Sequence, residues 1–162
     1  ARGRVIDVNN ALDGDGPFSP ERAGTLPAGA LADLCFCGEF DRAQISKLLC
    51  GKGGMVAHLG HNDAYKLEMD AKAGHGPSVL LQDALCYNVG KSIGAMATVL
   101  EGAVDAILLT GGIAHNPYLV DYVRRMVAFI APVVVYAGED EMAALAMNAR
   151  MVLSGEMKPK VY

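Results

Sequence analysis

The chain of 162 residues is 52% hydrophobic and 20% charged, enough apolar material for one core and hardly more than one, and too much for a disordered chain. Fourteen Lys and Arg against eighteen Asp and Glu leave a formal charge of -4. No basic field therefore exists to recruit a nucleic acid backbone or an anionic membrane face, and neither is expected as a partner. Nineteen glycines beside 6% aromatics and no Trp suit an α/β protein with tight backbone turns better than a helical bundle.

The chain opens Ala1-Arg2-Gly3-Arg4 without an initiator Met, as a piece of something longer would. Residues 4–8 carry the apolar alternation of a strand, and residues 9–27 form a long loop punctuated by Asp13-Gly14-Asp15-Gly16-Pro17 and Ser19-Pro20. Loops of that length inside compact domains are usually functional. Helical spacing runs over residues 28–49 with a break near Gly38, and residues 51–54 end that helical pair. A third helix is predicted over 62–72, closed by Gly74-His75-Gly76-Pro77. The longest periodic run follows, with Leu81, Leu85, Val89, Ile93, Met96 and Leu100 on one stripe and Gly90 and Gly94 offering a close approach to a neighbour. The last third alternates strand 106–110, helix 117–130, strand 132–136 and helix 139–153, a βαβα unit with a parallel pair. Asn116-Pro117 supplies an N-cap and a first-turn proline, and residues 157–162 read as a loose tail.

No apolar run of about 18 residues and no charged-then-apolar leader is present, so a soluble, cytoplasmic protein is expected. Cys35, Cys37, Cys50 and Cys86 lack the spacing of a zinc site and are too few for a disulfide scaffold, which fits a reducing compartment and four buried thiols.

Chemistry concentrates in two places. Leu108-Leu109-Thr110-Gly111-Gly112-Ile113-Ala114-His115-Asn116 is a strand that ends in two glycines and passes quickly into a helix, where backbone can approach a flat base or a phosphate. The plainer alternative is a tight turn with no ligand. Arg22 sits in the stiffened loop Pro20-Glu21-Arg22-Ala23-Gly24-Thr25-Leu26-Pro27. Its planar guanidinium suits a carboxylate or a transferring phosphoryl group, against the commoner alternative of a surface arginine. Other matches fail. Asp13-Gly14-Asp15-Gly16 has Pro17 at the fifth position of a calcium loop, Lys52-Gly53-Gly54 lacks the order of a phosphate loop, and His58 and His61 have no further ligands nearby.

Residues 5–27, with Gly53-Gly54-Met55-Val56-Ala57, Asn62-Asp63 and Thr110-Gly111-Gly112-Ile113-Ala114, resemble the butyrate kinases of the acetate kinase family nearly end to end. The resemblance implies an actin-like, two-domain phosphotransferase with a ribonuclease-H-like α/β fold in each domain and nucleotide in the cleft between them. Residues 1–162 would be the second, carboxyl-terminal domain, incomplete at its amino-terminal strands and interrupted by a helical insertion at about 28–75. The implied reaction is reversible phosphoryl transfer from ATP, with Mg2+, to a short-chain carboxylate such as butyrate, giving acyl phosphate and ADP.

By the same resemblance Arg22 is the catalytic arginine that contacts the phosphoryl group, and Gly111, Gly112, Ile113, Ala114 and Asn116 form an adenosine motif. Asp63 belongs to an Asp-x-Arg nucleotide segment in which Tyr65 replaces the arginine. One of Glu139, Asp140 and Glu141 serves the metal, and Asp7 has a structural or indirect role. The family's glycine-rich phosphate segment and its histidine would precede Ala1, the missing strands would leave unpaired sheet edges, and a homodimer through this domain is implied. Alternatives are a kinase for acetate, propionate or branched-chain acids, or a non-catalytic nucleotide-binding or dimerisation module.

Overall fold

The computed structural model describes residues 1–159. The predicted tail at 157–162 lies partly outside them, and within them the Met157 N–H donates to the Met151 carbonyl at 3.0 Å. The elements are α1 (Ala28–Phe36), α2 (Arg42–Leu49), α3 (Gly54–Leu59), α4 (Ala64–Lys72), α5 (Gly76–Val99), β1 (Ile107–Gly111), α6 (Pro117–Val127), β2 (Val133–Ala137) and α7 (Glu141–Leu153), with short 3-10 turns at Ala11–Asp13 and Gly112–His115.

The βαβα reading of the last third holds. β1 and β2 form a parallel pair in register from Ile107 against Val133 to Gly111 against Ala137, and α6 is the crossover. Asn116 caps α6 by accepting the N–H groups of Tyr118 and Leu119 on its Oδ1 at 2.9 and 3.3 Å, while Pro117 takes the first turn. Leu85 and Cys86 of α5, Ile107 of β1, and Leu119, Val123 and Val127 of α6 make the main core, with Val89 and Ile93 packed on it. A second, smaller core gathers Met55, Leu67 and Leu81, and Phe18 packs against both. The α5 stripe is thus buried at its amino-terminal end and half-buried beyond it. Gly90 gives the predicted close approach, since a Cβ there would stand 2.6 Å from the Met126 sulfur, whereas Gly94 faces open space.

Several expectations are corrected. Residues 4–8 are not a strand: Val5 and Val8 are 84% and 76% exposed, and no ladder partner lies beside them among the described residues. Alternating side chains cannot make a strand without a neighbour to take the backbone hydrogen bonds. Gly54 opens α3 instead of ending a helix, and Gly76-Pro77 opens α5 instead of closing α4, because proline is tolerated in a first turn. Only Cys86 is a buried thiol, its pKa pushed up to about 11 chiefly by burial. Cys35 and Cys37 are exposed because α1 buries none of its residues. No helix among the described residues is long and apolar enough to cross a membrane.

Candidate functional site

The loop that carries Arg22 is fastened by backbone groups of residues 49–56. The Gly51 and Gly53 N–H groups both donate to the Glu21 carbonyl, at 2.8 and 3.1 Å, and the Ala23 N–H donates to Leu49 at 2.9 Å. The first N–H groups of α3, on Met55 and Val56, donate to the carbonyls of Ser19 and Pro20 at 3.2 and 3.1 Å. These donors have no partner inside their own helix, so the loop satisfies them. Ser19 and Arg22 close the loop on itself, the Ser19 N–H to the Arg22 carbonyl at 3.0 Å and the Arg22 N–H to Ser19 Oγ at 3.2 Å.

Two glycines make the contact possible. A Cβ on Gly53 would lie 2.5 Å from the Ala23 nitrogen, and one on Gly54 would overlap the Ser19 carbonyl. Arg22 itself is half-buried, and its guanidinium has no ion-pair partner among the described residues. A fixed backbone thus presents an unneutralised cation.

A cavity of about 90 Å³ lies between α4, α5, α6 and the 3-10 turn after β1, walled by Met55, Tyr65, Glu68, Gln82, Gly112, Ile113, His115 and Asn116 together with apolar side chains. Three of the five residues expected to form an adenosine motif, Gly112, Ile113 and Asn116, meet here with Ala64 and Tyr65 of the Asp63 segment. Gly111 adopts φ +87° and ψ 173°, a region open essentially to glycine alone, and this turns the chain out of β1. Ala114 is buried beneath the turn. Asp63 stands outside the wall, where its carboxylate accepts the Lys66 N–H at 2.9 Å and caps α4. Asn116 spends its Oδ1 on α6, and its Nδ2 has no hydrogen bond among the described residues.

A second cavity of about 180 Å³ shares Gln82 with the first and is lined also by Lys72, Asp83 and Tyr118 among others. The Tyr118 hydroxyl donates to Asp83 Oδ1 at 2.6 Å, which with desolvation pushes its pKa up to about 12. The phenol is therefore held as a donor and is not a base at neutral pH.

Glu139, Asp140 and Glu141 are exposed and follow the carboxyl end of β2. Gly111 and Gly138 exchange backbone hydrogen bonds at 3.2 and 3.1 Å, so the acidic run begins beside the carboxyl end of β1, on the side of the sheet where α/β proteins hold ligands. No group of three His, Cys, Asp or Glu side chains converges on a metal position among the described residues. The run offers single carboxylates, the donors magnesium takes when phosphates and water fill the rest of its shell. Arg22 is not in the cavity wall. Met55 joins the two regions, with its N–H on the Arg22 loop and its side chain in the wall.

Sequence reasoning missed Gln82 and Met55. The signal for Gln82 was a polar residue three and four positions before Leu85 and Cys86, on the buried face of α5.

Residues 18–157 match the family described as the acetokinase family. A protein of Phocaeicola vulgatus described as a probable butyrate kinase is 54% identical over 161 residues, 99% of this chain and 46% of that protein. One of Bacteroides thetaiotaomicron with the same description is 50% identical over 160 residues, 99% of this chain and 45% of its own length. The chain thus spans about half the length of these curated relatives. The crystal structure of Porphyromonas gingivalis acetate kinase superposes with a TM-score of 0.76 at 23% identity, covering 86% of this chain and 41% of that one. Acetate kinase from Entamoeba histolytica gives 0.72 at 13%, covering 86% and 43%. Likeness at that identity establishes the fold, a partial acetate-kinase-type α/β domain with a small parallel sheet.

Proposed function

The chain belongs to the acetokinase family, and from that premise we propose that it is the nucleotide-side part of a short-chain carboxylate kinase, moving the γ-phosphoryl group of ATP reversibly to butyrate. The observation that carries this reading is the meeting of Gly112, Ile113 and Asn116 with the Ala64-Tyr65 segment around one cavity. Gly112 faces open space, so backbone is free to lie against a nucleoside, and Ile113 supplies an apolar face for it. Arg22, held by its clamped loop, stabilises the equatorial oxygens as charge redistributes during transfer, where positioning and electrostatics carry most of the catalysis. A magnesium ion arriving with the nucleotide would be held by one or two of Glu139, Asp140 and Glu141 and would neutralise phosphate charge.

The reading extends to organisation. Residues 1–162 form part of the carboxyl-terminal domain, and 28–75, which contains α1 to α4, is an insertion in it. A cytoplasmic homodimer is proposed on the same grounds, supported by exposed apolar side chains such as Leu80, Met142 and Leu145 that a second subunit could cover. Butyrate is favoured over acetate or propionate by the descriptions of the two bacterial relatives.

The test is Arg22→Ala in the intact protein. Turnover with ATP and butyrate should fall by about 10³-fold or more, with the thermal midpoint little changed because the loop is fastened through its backbone. An unchanged turnover number refutes the assignment.

A further inference from the structure

Several polar side chains on α5 are paired. Ser78 Oγ lies 2.8 Å from His75 Nδ1, Asp83 accepts from Tyr118, and Asn88 donates to the Ala84 carbonyl at 2.8 Å. Gln82 differs: it is 4% exposed, and its Oε1 has no hydrogen-bond partner among the described residues. Buried polar atoms are rarely left unpaired, and each exception calls for a ligand, a water or a functional reason. Gln82 is part of the wall of the 90 Å³ cavity and also of the 180 Å³ one beside it.

The rest of that wall narrows what could fill it. Pockets for drug-sized ligands run from about 300 to 1,000 Å³, so this one has room for a ring and not for a whole nucleotide. Met55, Leu85, Ile113 and Leu119 give it apolar surface, and Tyr65, 71% exposed, is an aromatic residue of its rim. Glu68 is committed to Lys72 at 2.5 Å, and Asn116 has spent its carbonyl on α6. The Asn116 Nδ2 donor and the His115 ring remain beside the Gln82 carboxamide, which alone of the three offers a free acceptor and a free donor side by side. A flat heteroaromatic ring with apolar faces and a polar edge meets these conditions.

On the reading of the cavity as the nucleoside site, which this inference rests on, we propose that Gln82 reads the edge of the base and selects adenine over 6-oxopurines, with Tyr65 as a stacking face. A carboxamide offers an acceptor and a donor side by side, which match the adenine N6 amino group and the adjacent ring N7. Hypoxanthine and guanine present two acceptors there, O6 and N7. One carboxamide cannot serve both with its nitrogen, so its oxygen would be left unpaired or facing O6. Stacking on Tyr65 is indifferent to base identity, so discrimination falls to Gln82.

The experiment measures kcat/KM for ATP and for ITP with butyrate in the intact protein, its Gln82→Met and Gln82→Leu variants, and Tyr65→Ala. The wild type should prefer ATP by roughly 10- to 100-fold, the span expected of one good bidentate base contact. Both Gln82 variants should bring the ATP-to-ITP ratio close to one without raising the KM for butyrate. Tyr65→Ala should weaken both nucleotides alike and keep the ratio. A wild-type ratio near one, which needs no variant to fold, overturns the inference, as does a Gln82→Met or Gln82→Leu ratio equal to that of the wild type. Those results leave the kinase reading intact if ATP still supports turnover. A wild type that uses neither nucleotide overturns both.

Discussion

Gly54→Ala tests whether the Arg22 loop is positioned by the start of α3. Gly54 has φ +56°, and a Cβ on it would overlap the Ser19 carbonyl oxygen and stand 2.6 Å from that of Arg22. Both obstacles are backbone atoms, so no side-chain rotation relieves them. The left-handed conformation alone costs an alanine about 1–2 kcal/mol. Forcing a methyl into packed surroundings adds roughly 1–3 kcal/mol, for a total of about 2–5 kcal/mol. Gly60→Ala is the control: it shares the left-handed backbone, φ +75°, but a Cβ there meets nothing within 4 Å, so only the conformational cost applies. The local readout is amide exchange at Met55 and Val56, whose N–H groups donate to Ser19 and Pro20, since opening of one unit shows there without global unfolding. Gly54→Ala should speed exchange at both amides well beyond Gly60→Ala. With Arg22 in its proposed role, it should also lower turnover by around 10²-fold, the cost of misplacing a catalytic group by about 1 Å. Equal exchange rates in the two variants would show that the loop is not clamped there.

Gly112→Ala separates function from folding at the cavity. Its backbone is not left-handed and a Cβ would enter open space, so the unfolding free energy should change by no more than about 0.5 kcal/mol. The KM for ATP should rise roughly tenfold or more, because the methyl would occupy the wall of the proposed nucleoside cavity; denaturant titration and steady-state kinetics check the two halves. At the other end of the Arg22 loop, the Asp15 carboxylate accepts the Asn10 N–H at 3.2 Å, the Thr25 hydroxyl at 3.1 Å and the Gly16 N–H at 2.8 Å. These bonds, the one from Asn10 foremost, hold its pKa below the ordinary 3.8. A depressed folded pKa means that the unfolded carboxylate takes up its proton first. The stabilisation is therefore complete above that ordinary value and is lost as pH falls through the folded one. Amides of Asn10 and Gly16 should report loop opening in that acid window, and Asp15→Asn should abolish the transition. A transition that persists in the variant assigns it to another group.

What could be read from sequence was what local chemistry decides. Asn116-Pro117 announces α6 because a cap and a first-turn proline act within one turn, and the apolar runs on either side suit a parallel pair, one face of which packs on the core at Ile107, Leu109 and Val133 while Leu108 and Tyr136 are exposed. Residues 4–8 show the opposite case, since alternation states which face would be buried but not whether a neighbouring strand exists. The glycines at 53 and 54 read as a stop because glycine disfavours helix interiors. In the fold the same lack of a Cβ lets two carbonyls of the Arg22 loop close onto the first donors of α3, a long-range requirement that leaves no periodic trace. Gln82 escaped for a related reason: a stripe defined by apolar residues passes over the polar residue within it, although burial there marks it as unusual. Met55 joins these cases. It sits on a helix of six residues, too short to show a period, yet its N–H holds Ser19 while its side chain walls the cavity. Arginine loop and cavity are thus set relative to each other by the one element that pattern reading could not see, and a shift of α3 would move both.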